Sequence, residues 1–281
     1  MLYNRFPSIV MLHYVSDDAK LDPLKPWVIS HDSFLRLLNF LEAEGYTTLT
    51  IEDLLSDRRP KGKSIVITFD DCPKHLFDFA IPELLKRNMK AVFYMPTAYL
   101  GGYNVWGVTG GMPRVDLMDE KDIKRLVDTG MEVGSHAHQH LMLSEVDEQQ
   151  VAEELQKSKE ILEKIIEKPV LSIAYPYGDV PANYGAIVKS LNYKLAFSVY
   201  TTQDSKYALR RWIYDDSDTI ASIKWKLSRT YNLCRFFTDK YNLISKMYAQ
   251  RLYRYYASLK TKLTPCIGAI CIGIEDILPA L

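Results

Sequence analysis

Two adjacent carboxylates close an apolar run, Ser64-Ile-Val-Ile-Thr-Phe-Asp70-Asp71-Cys72, and they are the first residues in the chain suited to chemistry. Side chains of neighbouring strand residues diverge, so a pair placed where the strand ends can send one carboxylate to a cation and keep the other for proton transfer. Further along, Glu132-Val-Gly-Ser-His136-Ala-His138-Gln-His140 gathers three of the chain's 6 histidines after a second apolar run. A four-residue separation on one helical turn sets His136 and His140 on a common face, roughly 6 Å apart, and points His138 elsewhere. Two imidazoles and a carboxylate suit Zn²⁺, or another late divalent metal such as Co²⁺ or Ni²⁺. A third segment, Leu171-Ser-Ile-Ala174-Tyr175-Pro176-Tyr177-Gly178-Asp179, runs from a strand into a Pro-aromatic-Gly turn. Such a turn offers backbone N–H groups and an aromatic wall at the strand end where barrel sites lie.

These segments need a scaffold that brings strand ends together. Short β-branched or apolar runs at Ile9 to His13, Ser64 to Phe69, Ala91 to Met95, Met131 to Ser135, Val170 to Ala174 and Lys194 to Ser198 read as strands. Between them, Asp32 to Glu44 carries Phe34, Leu37, Leu38 and Leu41 on one helical stripe, and Ser144 to Glu167 reads as a long amphipathic helix with Ser144 as its N-cap. The alternation implies βα units and a parallel sheet or barrel. Tyr99 to Leu117, with little regular period, reads as a binding loop. Trp106, with Trp27 and Tyr103, offers a flat aromatic face on which a ligand ring could stack, whereas His31 and His75 read as structural.

With the motifs in this order, the sequence resembles the polysaccharide deacetylases, the carbohydrate esterase family that shares the NodB homology domain, and within it the branch of biofilm-polysaccharide N-deacetylases. Thr68-Phe69-Asp70-Asp71 matches the family's first motif, His136 with His140 the second, and Tyr175-Pro176-Tyr177-Gly178 most of the third. The likeness extends over about residues 5 to 220. It implies an α/β fold, a distorted (β/α)7 barrel of NodB type, and metal-dependent removal of N-acetyl groups from an N-acetylated sugar, polysaccharide or glycan precursor. By the resemblance, Asp70 is the general base, Asp71, His136 and His140 are the metal ligands, Tyr177 donates its backbone N–H to the oxyanion, and Tyr175 and Pro176 line the substrate. Two departures matter. No histidine follows His140, so His13 in Ile9-Val-Met-Leu-His13 is the candidate general acid, in register with the family branch that carries this residue early. Ala174 stands where relatives have an arginine that orients the base, and Arg211, ahead of Arg210, is the candidate replacement. Cys72 stands in place of a glycine.

Composition sets the remaining expectations. Residues 222–265 carry ten Lys or Arg against Asp239 alone, while residues 1–221 are acidic overall, so the neutral total conceals an acidic body with a basic end. The barrel is expected over residues 1–227, with a basic, aromatic-rich helical C-terminal appendage over 228–281. That appendage suits peripheral contact with an anionic membrane surface or a cover over the barrel. Nothing in the chain has a nucleic-acid motif. Four cysteines without a paired pattern, no signal-peptide pattern and no span of about 20 apolar residues point to a cytoplasmic protein. Two rival functions stay open: hydrolysis of another amide or ester, and a non-catalytic carbohydrate-binding barrel. The substrate and the oligomeric state are not legible in the sequence.

Overall fold

The computed structural model describes residues 6–24, 27–56, 62–199, 201, 203, 205–232 and 234–235. In chain order the elements are β1 (Ser8–Leu12), β2 (Tyr14–Val15), β3 (Val28–Ile29), α1 (His31–Ala43), β4 (Thr47–Thr48), α2 (Ile51–Leu55), β5 (Ser64–Phe69), α3 (Ala80–Lys86), β6 (Val92–Met95), α4 (Val105–Val108), α5 (Glu120–Asp128), β7 (Glu132–Ser135), α6 (Glu148–Ile166), β8 (Ser172–Ala174), α7 (Tyr184–Ser190), β9 (Leu195–Ser198), β10 (Leu209–Arg210), β11 (Trp212–Ile213) and α8 (Ile220–Lys226). The six expected strands are all present, as β1 and β5 to β9, each within two residues of its expected start. Their near-continuous burial explains why they read as unbroken apolar runs: a parallel sheet is covered on both faces.

Every pairing between these strands is parallel, and the main sheet runs β10-β9-β8-β7-β6-β5-β1-β11, with β4 also on β5. Only Arg211 separates β10, which pairs with β9, from β11, which pairs with β1. The chain therefore steps from one end of the sheet to the other in a single residue, and the sheet is nearly closed into a barrel surrounded by helices. Alternate strand residues Ile9, Val66, Val92, Tyr94, Ala174, Leu195, Phe197 and Leu209 pack together inside, with Leu49, Ile51 and Leu54 closing one mouth. Residues of opposite parity, such as Val10, Ile67, Phe93 and Val133, face the helices in a larger cluster. Gly134 is required here, because a Cβ would lie 2.3 Å from the Tyr94 ring that fills the barrel and bonds Ser172 Oγ at 2.9 Å.

The long helix begins later than expected. Ser144 lies in a 3-10 turn, where its N–H donates to Asp179 Oδ2, and Asp147 is the N-cap of α6, accepting from Gln150 N–H. The N-cap of α1 is Ser30, whose hydroxyl accepts from Ser33 N–H. Tyr231 is buried in the main cluster, beyond the expected boundary at 227; the appendage from residue 236 onward lies outside the described residues. Among the described residues no helix is long and apolar enough to cross a membrane.

Candidate active site

The carboxylate pair sits where β5 ends. Asp70 N–H still bonds Leu12 O at 2.9 Å, but Asp71 (φ 64°) and Cys72 (φ 53°) are consecutive left-handed residues. Non-glycine residues adopt that region at a cost of order 1 kcal/mol each, and neighbouring bonds hold them there. Cys72 donates its N–H to Asp70 O at 2.7 Å and its Sγ–H to Tyr94 O at 3.1 Å. The turn sends the two carboxylates in different directions. Asp70 faces the barrel axis and Asp71 faces the histidines.

The histidines reach one another differently from the sequence expectation. Residues 136–140 form a loop rather than a helical turn, with Ala137 (φ 59°) and His140 (φ 55°) left-handed. This loop reverses quickly enough to bring the two rings to 4.9 Å, edge to face. Asp71 Oδ1 lies 3.2 Å from His140 Nε2 and 3.5 Å from His136 Nε2, and the ligand atoms of the three residues fall within 4.8 Å of one another. All three side chains are buried. His136 Nδ1 is 2.7 Å from Ala174 O, and since a carbonyl only accepts, Nδ1 carries the proton and Nε2 turns its lone pair toward Asp71. Asp71 Oδ1, the oxygen that both imidazole Nε2 atoms face, is buried with no hydrogen-bond partner among the described residues. Converging lone pairs repel unless a proton or cation lies among them, so this donor set fits a divalent metal. Burial pushes the His136 imidazole down to about 4, which keeps it neutral and ligand-competent. Burial would raise the Asp71 carboxyl, but the nearby His140, His13 and His136 hold it below the ordinary range.

Asp70 is bound end-on by a guanidinium. Arg211 Nη1 and Nη2 donate to Asp70 Oδ1 and Oδ2, both at 2.6 Å, and Nη1 also reaches Thr68 Oγ1 at 3.1 Å. Arg211 is fully buried, its N–H bonded to Ser198 O at 2.9 Å at the step that closes the barrel. Burial works to raise the Asp70 carboxyl, yet Arg211, with His136 and His13 adding, brings it below the ordinary range. Arg210 turns away and donates to the Thr201 and Asn232 carbonyls. Ala174 is buried at the end of β8 and has no polar group to give, so the guanidinium comes instead from the step between β10 and β11.

His13, half-buried just past β1, stands close enough to feel Asp71, Asp70, Arg211 and His140; burial lowers its imidazole more than the two carboxylates raise it. Trp106 stacks on His140 at 4.2 Å, and Tyr177 meets that ring edge-on at 4.7 Å. Tyr177 is left-handed (φ 58°) and 52% exposed. Tyr175, expected against substrate, is instead fully buried with its hydroxyl donating to Tyr207 O at 2.8 Å, and Pro176 is buried beside it. His138 is turned from the cluster, its Nδ1 2.9 Å from Thr97 Oγ1. His31 pairs with Asp17 at 2.9 Å and stacks on Phe79, and His75 stacks on Tyr14 at 5.9 Å, neither joining the ligand cluster. Trp27 and Tyr103 have no ring contact with the three ligands, and Tyr103 lies under Arg114 instead.

Two residues near the ligands carried no signal that sequence reasoning used. Tyr14 donates its hydroxyl to Asp71 Oδ2 at 3.4 Å. Glu154, on α6, accepts from the N–H groups of His138 and Gln139 at 3.0 and 2.7 Å. A buried acid on the apolar stripe of a helix is the pattern that marks the second.

The chain also resembles known proteins. Residues 57–196 match the family described as polysaccharide deacetylase. The poly-beta-1,6-N-acetyl-D-glucosamine N-deacetylase of Staphylococcus aureus (strain MRSA252) is 26% identical over 210 residues, covering 69% of this chain and 70% of that protein. Among solved structures, the Streptococcus pyogenes deacetylase PplD, in complex with acetate, superposes with a TM-score of 0.67 at 22% identity, covering 79% of this chain and 98% of that one. IcaB from Ammonifex degensii gives a TM-score of 0.64 at 21% identity with the same coverage. These two share the fold. Since the matched residues span β5 to β8, with the Asp70-Asp71 and His136-to-His140 segments inside them, the chain belongs to the polysaccharide deacetylase family.

Proposed function

We propose that this protein is a metal-dependent hydrolase that removes N-acetyl groups from an N-acetylated glycan, with a poly-N-acetylglucosamine chain as the substrate class its relatives suggest. The observation that carries this is the convergence of Asp71, His136 and His140 beside an Asp70 locked to Arg211. A divalent ion held by those three ligands, with zinc the first choice and cobalt or nickel the alternatives, would polarise the acetyl carbonyl and acidify a water molecule.

The chain's own groups supply the proton traffic. Asp70, kept ionised and fixed in direction by its guanidinium, takes a proton from the attacking water. The left-handed turn at Tyr177 offers its backbone N–H to the oxygen that gains charge. His13 delivers a proton to the departing amine; because burial weakens its basicity, its protonated form is a stronger acid than a free imidazolium. The Tyr177 ring and Trp106, both packed against His140, form the walls against which a sugar ring lies. Arg211 acts through Asp70 and touches no substrate. The complete set of ligands and base argues against a merely carbohydrate-binding barrel.

The test combines metal analysis with acetate release. The purified protein is expected to hold about one divalent ion per chain and to free acetate from acetylated glucosamine oligomers. His136→Ala and His140→Ala should lose metal and activity together. Release from simple acetyl esters or small amides but never from acetylated sugars would redirect the substrate assignment, and full metal occupancy in the His136→Ala/His140→Ala double variant would remove the site.

A further inference from the structure

The inward stripe of α6 is apolar at Val151, Leu155, Leu162 and Ile165, but it is interrupted by buried Glu154 and Ser158. A helix that only had to pack would carry leucine or alanine there, since removing a carboxylate from water costs several kcal/mol unless it is hydrogen-bonded. Both polar residues lie behind the loop that carries the two histidines. Glu154 Oε2 receives the N–H of His138 at 3.0 Å and of Gln139 at 2.7 Å. Ser158 Oγ bonds Ser135 Oγ at 2.8 Å, and that Ser135 oxygen in turn accepts Ala137 N–H at 3.2 Å. On the other side, Thr97 N–H and Ala98 N–H donate to the carbonyls of Ala137 and His138, at 3.3 and 2.8 Å.

Every residue between the two histidines is therefore pinned by a neighbouring element or by its own flank, and the three intervening N–H groups all end on side-chain oxygens. A loop with left-handed residues at Ala137 and His140 has no regular backbone ladder to hold it, so these bonds decide where the imidazoles point. We propose that Glu154, assisted by Ser158, is a positioning residue that presets the His136-to-His140 loop and so determines how tightly the protein grips a divalent metal. The proposal rests on the reading of Asp71, His136 and His140 as metal ligands. Charge-assisted bonds from two adjacent amides to one carboxylate oxygen are stronger than bonds to a neutral amide, so Glu154→Gln, nearly the same shape, loosens the loop without emptying the space.

The experiment is a chelator competition that measures Zn²⁺ and Co²⁺ dissociation constants for the full chain and its variants. Glu154→Gln is expected to weaken metal binding about 10- to 100-fold, the range for groups that orient a metal ligand. Ser158→Ala should shift it in the same direction by less. Glu153→Gln, an exposed neighbour on the same helix, makes the same change in net charge and should leave the constant unchanged, which separates orientation from long-range electrostatics. Wild-type protein that binds no metal would overturn the ligand assignment and this proposal with it. Tight wild-type binding that Glu154→Gln leaves untouched would overturn the proposal alone. If Glu154→Gln does not fold, amide exchange in the metal-free wild type decides: the N–H of Gln139, although its side chain is exposed, should exchange as slowly as the strand amides of β7. Rapid exchange there would refute the clamp.

Discussion

Replacing Arg211 by Met tests how the barrel keeps Asp70 ionised. Arg211 is fully buried and gives Asp70 two bonds of 2.6 Å, so the substitution leaves a carboxylate in a dry interior without its guanidinium, with the His136 and His13 imidazoles still favouring its charge. Breaking one side of a buried ion pair costs about 3–5 kcal/mol, mostly the desolvation of the partner left behind. For a domain of this size that is a fall in Tm on the order of 10 °C. The sign with pH follows from linkage. In the wild type the Asp70 carboxyl is below its ordinary value of 3.8, so its contribution is present above that value and lost as pH falls through the lowered one. Without the guanidinium, burial outweighs the opposing imidazoles and the carboxyl rises, so the variant's deficit should be greatest near about pH 8 and shrink toward about pH 5. Urea unfolding of the metal-free variants at several pH values measures this. Adding Asp70→Asn to Arg211→Met should recover much of the loss, because the orphaned charge is gone. A single-variant loss below about 1 kcal/mol, or a double variant no better than the single, would refute the argument.

Three other outcomes are expected. Glu132, at the start of β7, has its carboxyl pushed up to about 7 by burial despite the Glu52 N–H at 2.9 Å. A raised carboxyl favours the folded state at low pH, so wild-type stability should decline as pH rises from about 4.5 past about 7, and Glu132→Gln should remove that decline, worth on the order of 2 kcal/mol at about pH 8 in thermal or urea unfolding. His13→Ala should keep its metal, by elemental analysis, and lose about 10²- to 10⁴-fold in turnover, least for substrates whose departing group needs no proton; normal turnover per folded molecule would return His13 to a structural role. The intact chain should sediment with anionic vesicles at low salt and be released as salt rises, because residues 222–265 carry ten cations against one acid and α8 exposes Ile220 (41%) and Trp225 (46%). Truncation belongs after Arg235 rather than after Leu227, since Tyr231 is buried in the main core.

Much of the architecture was legible because its signals are local. Strands buried on both faces appear as apolar runs, helices show their stripe, and strand-terminal Asp-Asp and clustered histidines are unusual wherever they occur. The six principal strands and the residues of the Asp71-His136-His140 cluster were readable for that reason. Boundaries were less so: Ser144 has the composition of an N-cap, but Asp179, distant in sequence, captures its N–H and moves the cap to Asp147. The two-residue strands β10 and β11 have no periodicity to read, and they exist because the edges of a twisting sheet meet there.

The sequence by itself singled out the candidate groups: Asp70, Asp71, His136, His140 and the turn at Tyr177 stand out by residue type and order. Tertiary structure alone decided how they face one another. A four-residue spacing suggested a helical turn, whereas the histidines converge through a loop bonded from behind by the buried Glu154 of α6 and by Ser135, which Ser158 holds, and in front by Thr97 and Ala98. Similarly, Arg210 and Arg211 are equivalent as letters, and the difference lies in the closure of the barrel, which turns Arg211 inward onto Asp70 and Arg210 toward the Thr201 carbonyl. The physical reason is the same in both cases: side-chain type is local, but direction depends on hydrogen bonds between segments far apart in the chain, and those partners are chosen only when the barrel closes.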